Sequence, residues 1–192
     1  MIAMVGLGNP GEKYQNNRHN AGQMFTDYLL VTLRVTTHEN YKFTFDKHCN
    51  SQLAKLIIKN KELLLIKPQT FMNRSGEAVF KLISNFKFQI SNLVVAHDDL
   101  DIPLGKFKIQ KGTGPQLHNG LESIEQHLKT KDFWRVRIGV DNRTNNPERS
   151  ASWRRVEGET YVLNDFLPAE KNSLMKEIFP KIFNRLKSTA MI

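Results

Sequence analysis

Cysteine is nearly absent from this chain: one thiol, Cys49, among 192 residues. No internal disulfide is possible, which fits a reducing compartment. Long apolar runs are missing too, and nothing approaches the roughly 20 residues that span a membrane as a helix. The start, Met1-Ile2-Ala3-Met4-Val5, lacks the basic opening and cleavage site of a secretory leader. It reads as a first strand, and the expected location is cytoplasmic. Acidic residues are scarce beside basic ones, 19 against 28, leaving a net charge of +9. The excess is uneven. Lys106, Lys108 and Lys111 form one group; Arg135, Arg137, Arg143, Arg149, Arg154 and Arg155 form another. A polyanionic partner follows, with nucleic acid the leading candidate. No basic segment carries the apolar helical face that a membrane surface requires.

Markers of several chemistries are also lacking. There is no G-x-S-x-G elbow for a nucleophilic serine, and His48 and Cys49 would face apart in a strand. His97-Asp98-Asp99-Leu100-Asp101 looks like a metal cluster, but alternation in a strand separates His97 from Asp98. No second carboxylate-rich motif completes an octahedral set, so neither a metal nor a cofactor is expected. Gly6, Gly8 and Gly11 spell G-x-G-x-x-G after a strand. Pro10 removes an N–H from that loop, Asn16 to Asn20 interrupts the helix that should follow, and no acidic residue ends a second strand about 20 positions on. A dinucleotide-dependent enzyme is therefore a weak alternative. The glycines instead shape a turn that points Asn9 into a cleft at the carboxyl end of a strand.

What is present alternates between two periods. Ile2 to Leu7 reads as a strand, and Met24, Phe25, Tyr28, Leu29 and Leu33 mark a helix from near Asn20. Ser51 to Ile58 and Glu62 to Lys67 form a hairpin about Lys59-Asn60-Lys61. Ser75 is placed to cap a helix carrying Ala78, Val79, Leu82, Ile83 and Phe86. Leu93 to Ala96 reads as a short buried strand, followed by a strand at Lys106 to Gln110, a helix at Asn119 to Lys129 and a strand at Val136 to Val140. Asn142 to Glu159 is polar and basic without a period, a loop. Tyr161 to Phe166 reads as extended. The last helix starts near Pro168 with a stripe from Leu174 to Leu186, and Pro180 should kink it. Alternating strands and helices predict an α/β fold, one mixed β-sheet flanked by helices, as a single domain over residues 1–192.

Polar residues stand where apolar ones are usual. His19 lies in Arg18-His19-Asn20-Ala21-Gly22, Asn73 follows Phe71-Met72, Asp98 ends an apolar run, and Asn119 opens a helix. A carboxylate on one imidazole nitrogen fixes the tautomer and supports the charge that appears when the other nitrogen takes a proton. His19 with Asp98 would thus make a general base for water. Asn73 and Asn119 either donate to a developing oxyanion and hold water, or cap helices.

These residues resemble bacterial peptidyl-tRNA hydrolases. The matching stretches are Val5-Gly6-Leu7-Gly8-Asn9-Pro10-Gly11, Tyr14, Arg18 to Gly22, Lys67 to Gly76, Val95 to Asp101, His118-Asn119-Gly120-Leu121 and Arg137-Ile138-Gly139, in the family's order across most of the chain. The resemblance implies a monomeric, metal-independent α/β enzyme that hydrolyses the ester between a peptide and tRNA. It makes His19 the base, has Asp98 keep it basic, and gives Asn9 the discrimination of a blocked from a free amino group. Asn73, His118 and Asn119 hold substrate and water, Tyr14, Phe71 and Met72 line the cleft, and Lys108 and Arg137 grip tRNA phosphate. The stretch Lys111-Gly112-Thr113-Gly114-Pro115-Gln116-Leu117 departs from the family's glycine-rich pattern, which keeps a catalytically silent RNA-binding relative, of the splicing-factor kind, as the alternative. The basic stretch Asn142 to Arg155 also departs, and reads as an added RNA contact. Neutralising Arg149, Arg154 and Arg155 together should weaken tRNA binding and flatten the dependence of log K on log salt, as read by filter binding between 50 and 200 mM salt.

Overall fold

A computed structural model of the chain describes residues 1–143, 158–189 and 191–192. Among these, seven strands form one mixed sheet in the order β2-β3-β4-β1-β5-β7-β6. They are β1 (Ile2–Gly6), β2 (Thr44–Asp46), β3 (Ser51–Ile58), β4 (Lys61–Pro68), β5 (Leu93–Pro103), β6 (Phe107–Lys111) and β7 (Trp134–Asp141). β1 pairs in parallel with β4 and β5, and β5 in parallel with β7, while β2, β3 and β6 join antiparallel. Helices α1 (Ala21–Thr37), α2 (Ser75–Phe86) and α3 (Asn119–Leu128) cover the two faces, with α4 (Pro168–Ser173) and α5 (Phe179–Ser188) toward the C-terminus. The expected α/β class holds.

Strand alternation divides the core. Met4, Leu65, Val94, Ala96 and Ile138 pack with α1 and the C-terminal helix, whereas Val5, Leu64, Ile66, Val95 and Leu93 pack with α2 and α3. Both faces are buried, so the central strands read as continuous apolar runs, as parallel strands do. Asp98 shares its parity with Val94 and Ala96, which aims it at the α1 face.

Three expectations need correction. The strand at Leu93 to Ala96 is an eleven-residue element that takes in His97 through Asp101, because β7 pairs alongside it through Asp99 and the polar side chains find partners. Tyr161 to Phe166 is not extended: residues 158–162 are helical, and the Tyr161 hydroxyl donates to Val140 O while accepting from Asn142 N. Ser75 does not cap α2; it is the helix's first residue, and its hydroxyl donates back to Met72 O at 2.8 Å. The short edge strand β2 carried no signal. The loop expected at Asn142 to Glu159, with Arg149, Arg154 and Arg155, lies for the most part outside the described residues.

At Pro180 the predicted interruption takes the form of a π-turn over Leu174–Ile178, between α4 and α5. Proline offers no N–H to the carbonyl four residues back and its ring crowds that carbonyl, so the helix widens there.

The glycine turn after β1 serves packing. A Cβ on Gly22 would lie 2.2 Å from Ala96 O, and one on Gly6 would lie 2.3 Å from Gly22 O. The start of α1 therefore touches the backbone of β1 and β5. Gly22→Ala should destabilise the fold by about 1–3 kcal/mol or more, measured as a drop in the urea midpoint at unchanged m value.

Candidate active site

β1 stops at Gly6, paired with Ala96, while β5 runs on beside β7. That leaves a notch at the carboxyl end of β1, where α/β sheets place ligands. The backbone crosses it immediately, with Leu7 N donating to Ala96 O. Asn9 follows, 7% exposed. Its backbone N–H donates to Asn20 Oδ1 and its carbonyl accepts from Asn20 Nδ2, both at 2.9 Å. Its side-chain oxygen accepts from Met72 N at 2.8 Å. Only an oxygen can accept there, so the orientation of the amide is fixed and its NH₂ is left for the cleft.

His19 sits in a 3₁₀ turn, Arg18–Asn20, that leads into α1. Its Nδ1 meets Asp98 Oδ1 at 2.9 Å, and His118 Nε2 meets the same oxygen at 3.0 Å. His118 is the N-cap of α3: its Nδ1 accepts from Gly120 N at 3.1 Å and Leu121 N at 3.3 Å. An acceptor at Nδ1 places the ring proton on Nε2, so His118 donates to Asp98. Asp98 likewise accepts a hydrogen bond from Nδ1–H of His19, leaving His19 Nε2 with its lone pair. Asp98 is 2% exposed. Burial opposes its charge, but the His19 and His118 rings and their hydrogen bonds prevail and hold the carboxyl well below the usual carboxylate range.

His19, Asp98 and His118 place ligand atoms within 4.8 Å of one another. The donor set fits a metal poorly. His118 Nε2 carries a proton for as long as Nδ1 holds the helix amides, and the atoms concerned already satisfy each other as donor and acceptor. His97 points to the other face, as alternation requires, yet it is not remote. Its Nδ1 contacts Asp98 O at 2.6 Å and its ring lies 4.9 Å from that of His118. Burial, then the neighbouring His118, pushes its pKa well down, so it is a neutral support behind the site.

The other expected residues divide. Asn73 and Asn119 are exposed and cap nothing: the cap positions belong to Arg74 and His118. The segments that carry them adjoin, since a Cβ on Gly120 would meet Met72 Sδ at 2.5 Å. Phe71 is 53% exposed and meets Tyr14 edge-on at 6.4 Å. Met72 is buried in the core and reaches the site through its backbone N–H. His118 was expected to touch substrate; its side chain is 3% exposed and both nitrogens are taken, so here it orients Asp98. Lys108 is exposed on the edge strand β6. Arg137, its register partner on β7, is not free as expected for a phosphate contact. It is 6% exposed, with Nε on Asp99 Oδ2 at 2.6 Å and Nη1 on Gln110 Oε1 at 2.8 Å. β7 lies between β5 and β6, which hems its side chains with theirs. The departing loop is pinned: Gln116 N donates to Asp101 Oδ2 at 2.8 Å and Arg135 Nη1 donates to Gly114 O.

Sequence reasoning missed Asn20, whose amide brackets the Asn9 backbone, and the buried pair of Arg18 with Glu170 at 2.7 Å. Asn20 follows His19 in the chain and was open to suspicion as one more polar residue at a helix start. The ion pair joins residues 152 positions apart and left no local signal.

The family profile described as "Peptidyl-tRNA hydrolase" matches residues 3–191. A peptidyl-tRNA hydrolase of Lawsonia intracellularis is 39% identical over 183 residues, covering 95% of this chain and 84% of that protein. One of Geotalea daltonii is 43% identical over 173 residues, covering 89% and 81%. The crystal structure of peptidyl-tRNA hydrolase from Acinetobacter baumannii aligns with a TM-score of 0.78 at 25% identity, covering 99% of this chain and 90% of that one.

The depressed Asp98 carboxyl has a consequence for stability. A group whose pKa is lowered on folding contributes stability that is present above its unfolded value, about 3.9, and is lost as the pH falls through the folded value. Acidification below about pH 4 should therefore destabilise the wild type more than Asp98→Asn, measured as unfolding free energies in urea across a pH series.

Proposed function

The chain belongs to the peptidyl-tRNA hydrolase family, and from that premise we propose which of its residues carry the reaction. The activity is hydrolysis of the ester between a peptide and tRNA. His19 Nε2 takes a proton from water as the water attacks the ester carbonyl carbon. Asp98 compensates the imidazolium that forms. The tetrahedral oxyanion collapses, the bond to the ribose oxygen breaks, and the proton on Nε2 passes to that leaving oxygen. A peptide acid and free tRNA result. An ester leaving group of this kind is labile enough for histidine-activated water to suffice. The observation that carries the reading is the His19–Asp98 hydrogen bond of 2.9 Å, which leaves Nε2 as the free base.

Asn9 presents an NH₂ with its oxygen committed to Met72 N. A donor suits the carbonyl of an acylated amino group and opposes a free ammonium, itself a donor with charge. Asn73 and Asn119 donate to the oxyanion and hold water from the rim, and Phe71 with Tyr14 supplies an apolar wall. Lys108 meets tRNA phosphate. Arg137 would join it only by exchanging Asp99 for phosphate. Burial raises the Asp99 pKa against the pull of Arg137, so that exchange would leave a carboxyl that tolerates protonation. A catalytically silent RNA-binding relative is not favoured, since binding alone requires no such dyad. All described strands serve one sheet, which supports a single domain. No helix among the described residues is long and apolar enough to cross a membrane. A monomer working in the cytoplasm, where translation generates the substrate, completes the proposal.

The test uses N-acetylaminoacyl-tRNA and the unblocked form side by side. The blocked form should be cleaved in the presence of chelator and the free form spared. His19→Ala should lose about 10²–10⁴ in kcat. Equal cleavage of both forms would remove the role given to Asn9.

A further inference from the structure

The three residues before His19 are each tied to one distant segment. Lys171 Nζ donates to Asn16 Oδ1 at 2.6 Å, and Phe166 N donates to Asn16 O at 2.9 Å. Asn17 forms an isolated antiparallel bridge with Asp165, and its Nδ2 donates to Asp165 Oδ1 at 2.6 Å. Arg18 is 5% exposed. Its Nη1 donates to Asp165 O at 2.7 Å, and its Nη2 to Glu170 Oε2 at 2.7 Å. Its guanidinium lies 4.2 Å from the centre of the Tyr161 ring.

Glu170 is the hub of this clamp. It is 7% exposed, and its Oε2 also accepts from Leu167 N at 2.9 Å while Oε1 accepts from Asn142 Nδ2 at 3.0 Å. One carboxylate thus joins the end of β7, the start of α4 and the turn before His19. On the far side of His19, Asn20 is held by Asn9. The imidazole therefore stands on a short turn fixed at both ends, and among the ties on its N-terminal side the one buried ion pair is Arg18–Glu170. Near-attack geometry is sensitive to displacements of an ångström, and nothing in the Arg18–Glu170 pair reaches the notch where the ester would lie.

From this we infer that Glu170 is a positioning residue for the hydrolysis: through Arg18 it holds the 3₁₀ turn so that His19 Nδ1 stays on Asp98 and Nε2 faces the water. The inference rests on His19 being the base, as proposed above. It predicts an effect on the chemical step more than on tRNA binding, because none of Lys108, Asn73 and Asn119 is among the clamp's partners and the clamp meets the basic stretch only through the Asn142 amide.

Glu170→Gln keeps the size of the side chain and an oxygen for Leu167 N or Asn142, but loses the charge opposite Arg18. With N-acetylaminoacyl-tRNA, its kcat should fall on the order of 10- to 100-fold while KM stays within about twofold of wild type. Long-range ¹H–¹⁵N spectra of the histidine rings should report His19 as one tautomer, protonated at Nδ1, in the wild type, and as a mixture in the variant. A folded Glu170→Gln with wild-type kcat and an unchanged His19 spectrum overturns the inference. So does a fall in kcat that only follows the loss of folded protein. If Glu170→Gln does not fold, Lys171→Ala removes a partly exposed link of the same clamp; its kcat should fall in the same direction by a smaller factor, and an unchanged kcat there overturns the inference. His19→Ala run alongside separates the two claims. If it stays active, the base assignment fails and this inference with it. If it is inactive beside a fully active Glu170→Gln, this inference alone fails.

Discussion

One carboxylate oxygen, Asp98 Oδ1, organises the site. It receives two imidazole N–H groups, from His19 at 2.9 Å and His118 at 3.0 Å, inside a nearly closed pocket. A buried charge is costly unless it is paired and hydrogen-bonded, and here the pairing also defines direction. Each ring has one nitrogen turned toward the carboxylate, so each ring's other nitrogen has a determined task. For His118 that task is to hold the first amides of α3. For His19 it is, in the function proposed above, to take a proton from water. The protonation pattern of the whole cluster follows from where α3 begins.

The backbone makes this arrangement possible. β1 ends one pair short of where β5 becomes polar, and α1 starts against the buried backbone of both, at Gly6 and Ala96. Only glycine at positions 6 and 22 allows that approach, which brings His19 within reach of a strand residue 79 positions away. Of the motif's three glycines, Gly6 and Gly8 are thus required by packing, whereas Gly11 faces open space and is required by its φ of 103°. The amide of Asn20 then substitutes for a strand neighbour on Asn9, satisfying backbone groups that the shortened β1 cannot.

How much of this was legible in the sequence depended on the range of the interaction. Period and turn chemistry located α1, the β3–β4 hairpin, α2 and α3, because those signals lie within a dozen residues. The reach of β5 was missed because polarity after Ala96 looked like an end, when a paired neighbour and buried partners carry the strand through Asp98. His19, Asn73, Asp98 and Asn119 drew notice as polar residues in apolar settings, and Asn9 through the glycine turn that carries it. Arg137 drew notice in a basic group and as a phosphate contact, but the chain gave no sign that Asp99 and Gln110 engage it. His118 and the Arg18–Glu170 pair depended on contacts that only the fold creates, and residue type alone did not announce them.

Five buried positions of the C-terminal helix fall at intervals of four: Glu170, Leu174, Ile178, Ile182 and Leu186. In a regular α-helix each such step advances by about 40° around the axis, so four steps would carry the last side chain on the order of 160° from the first. The wider turn at Leu174–Ile178 rotates less per residue and takes back part of that advance. A single rod can then keep an acid beneath the N-terminal turn at one end and a leucine in the apolar layer at the other. Pro180, which looks like a defect in the helix, sets the azimuth that lets both ends face inward.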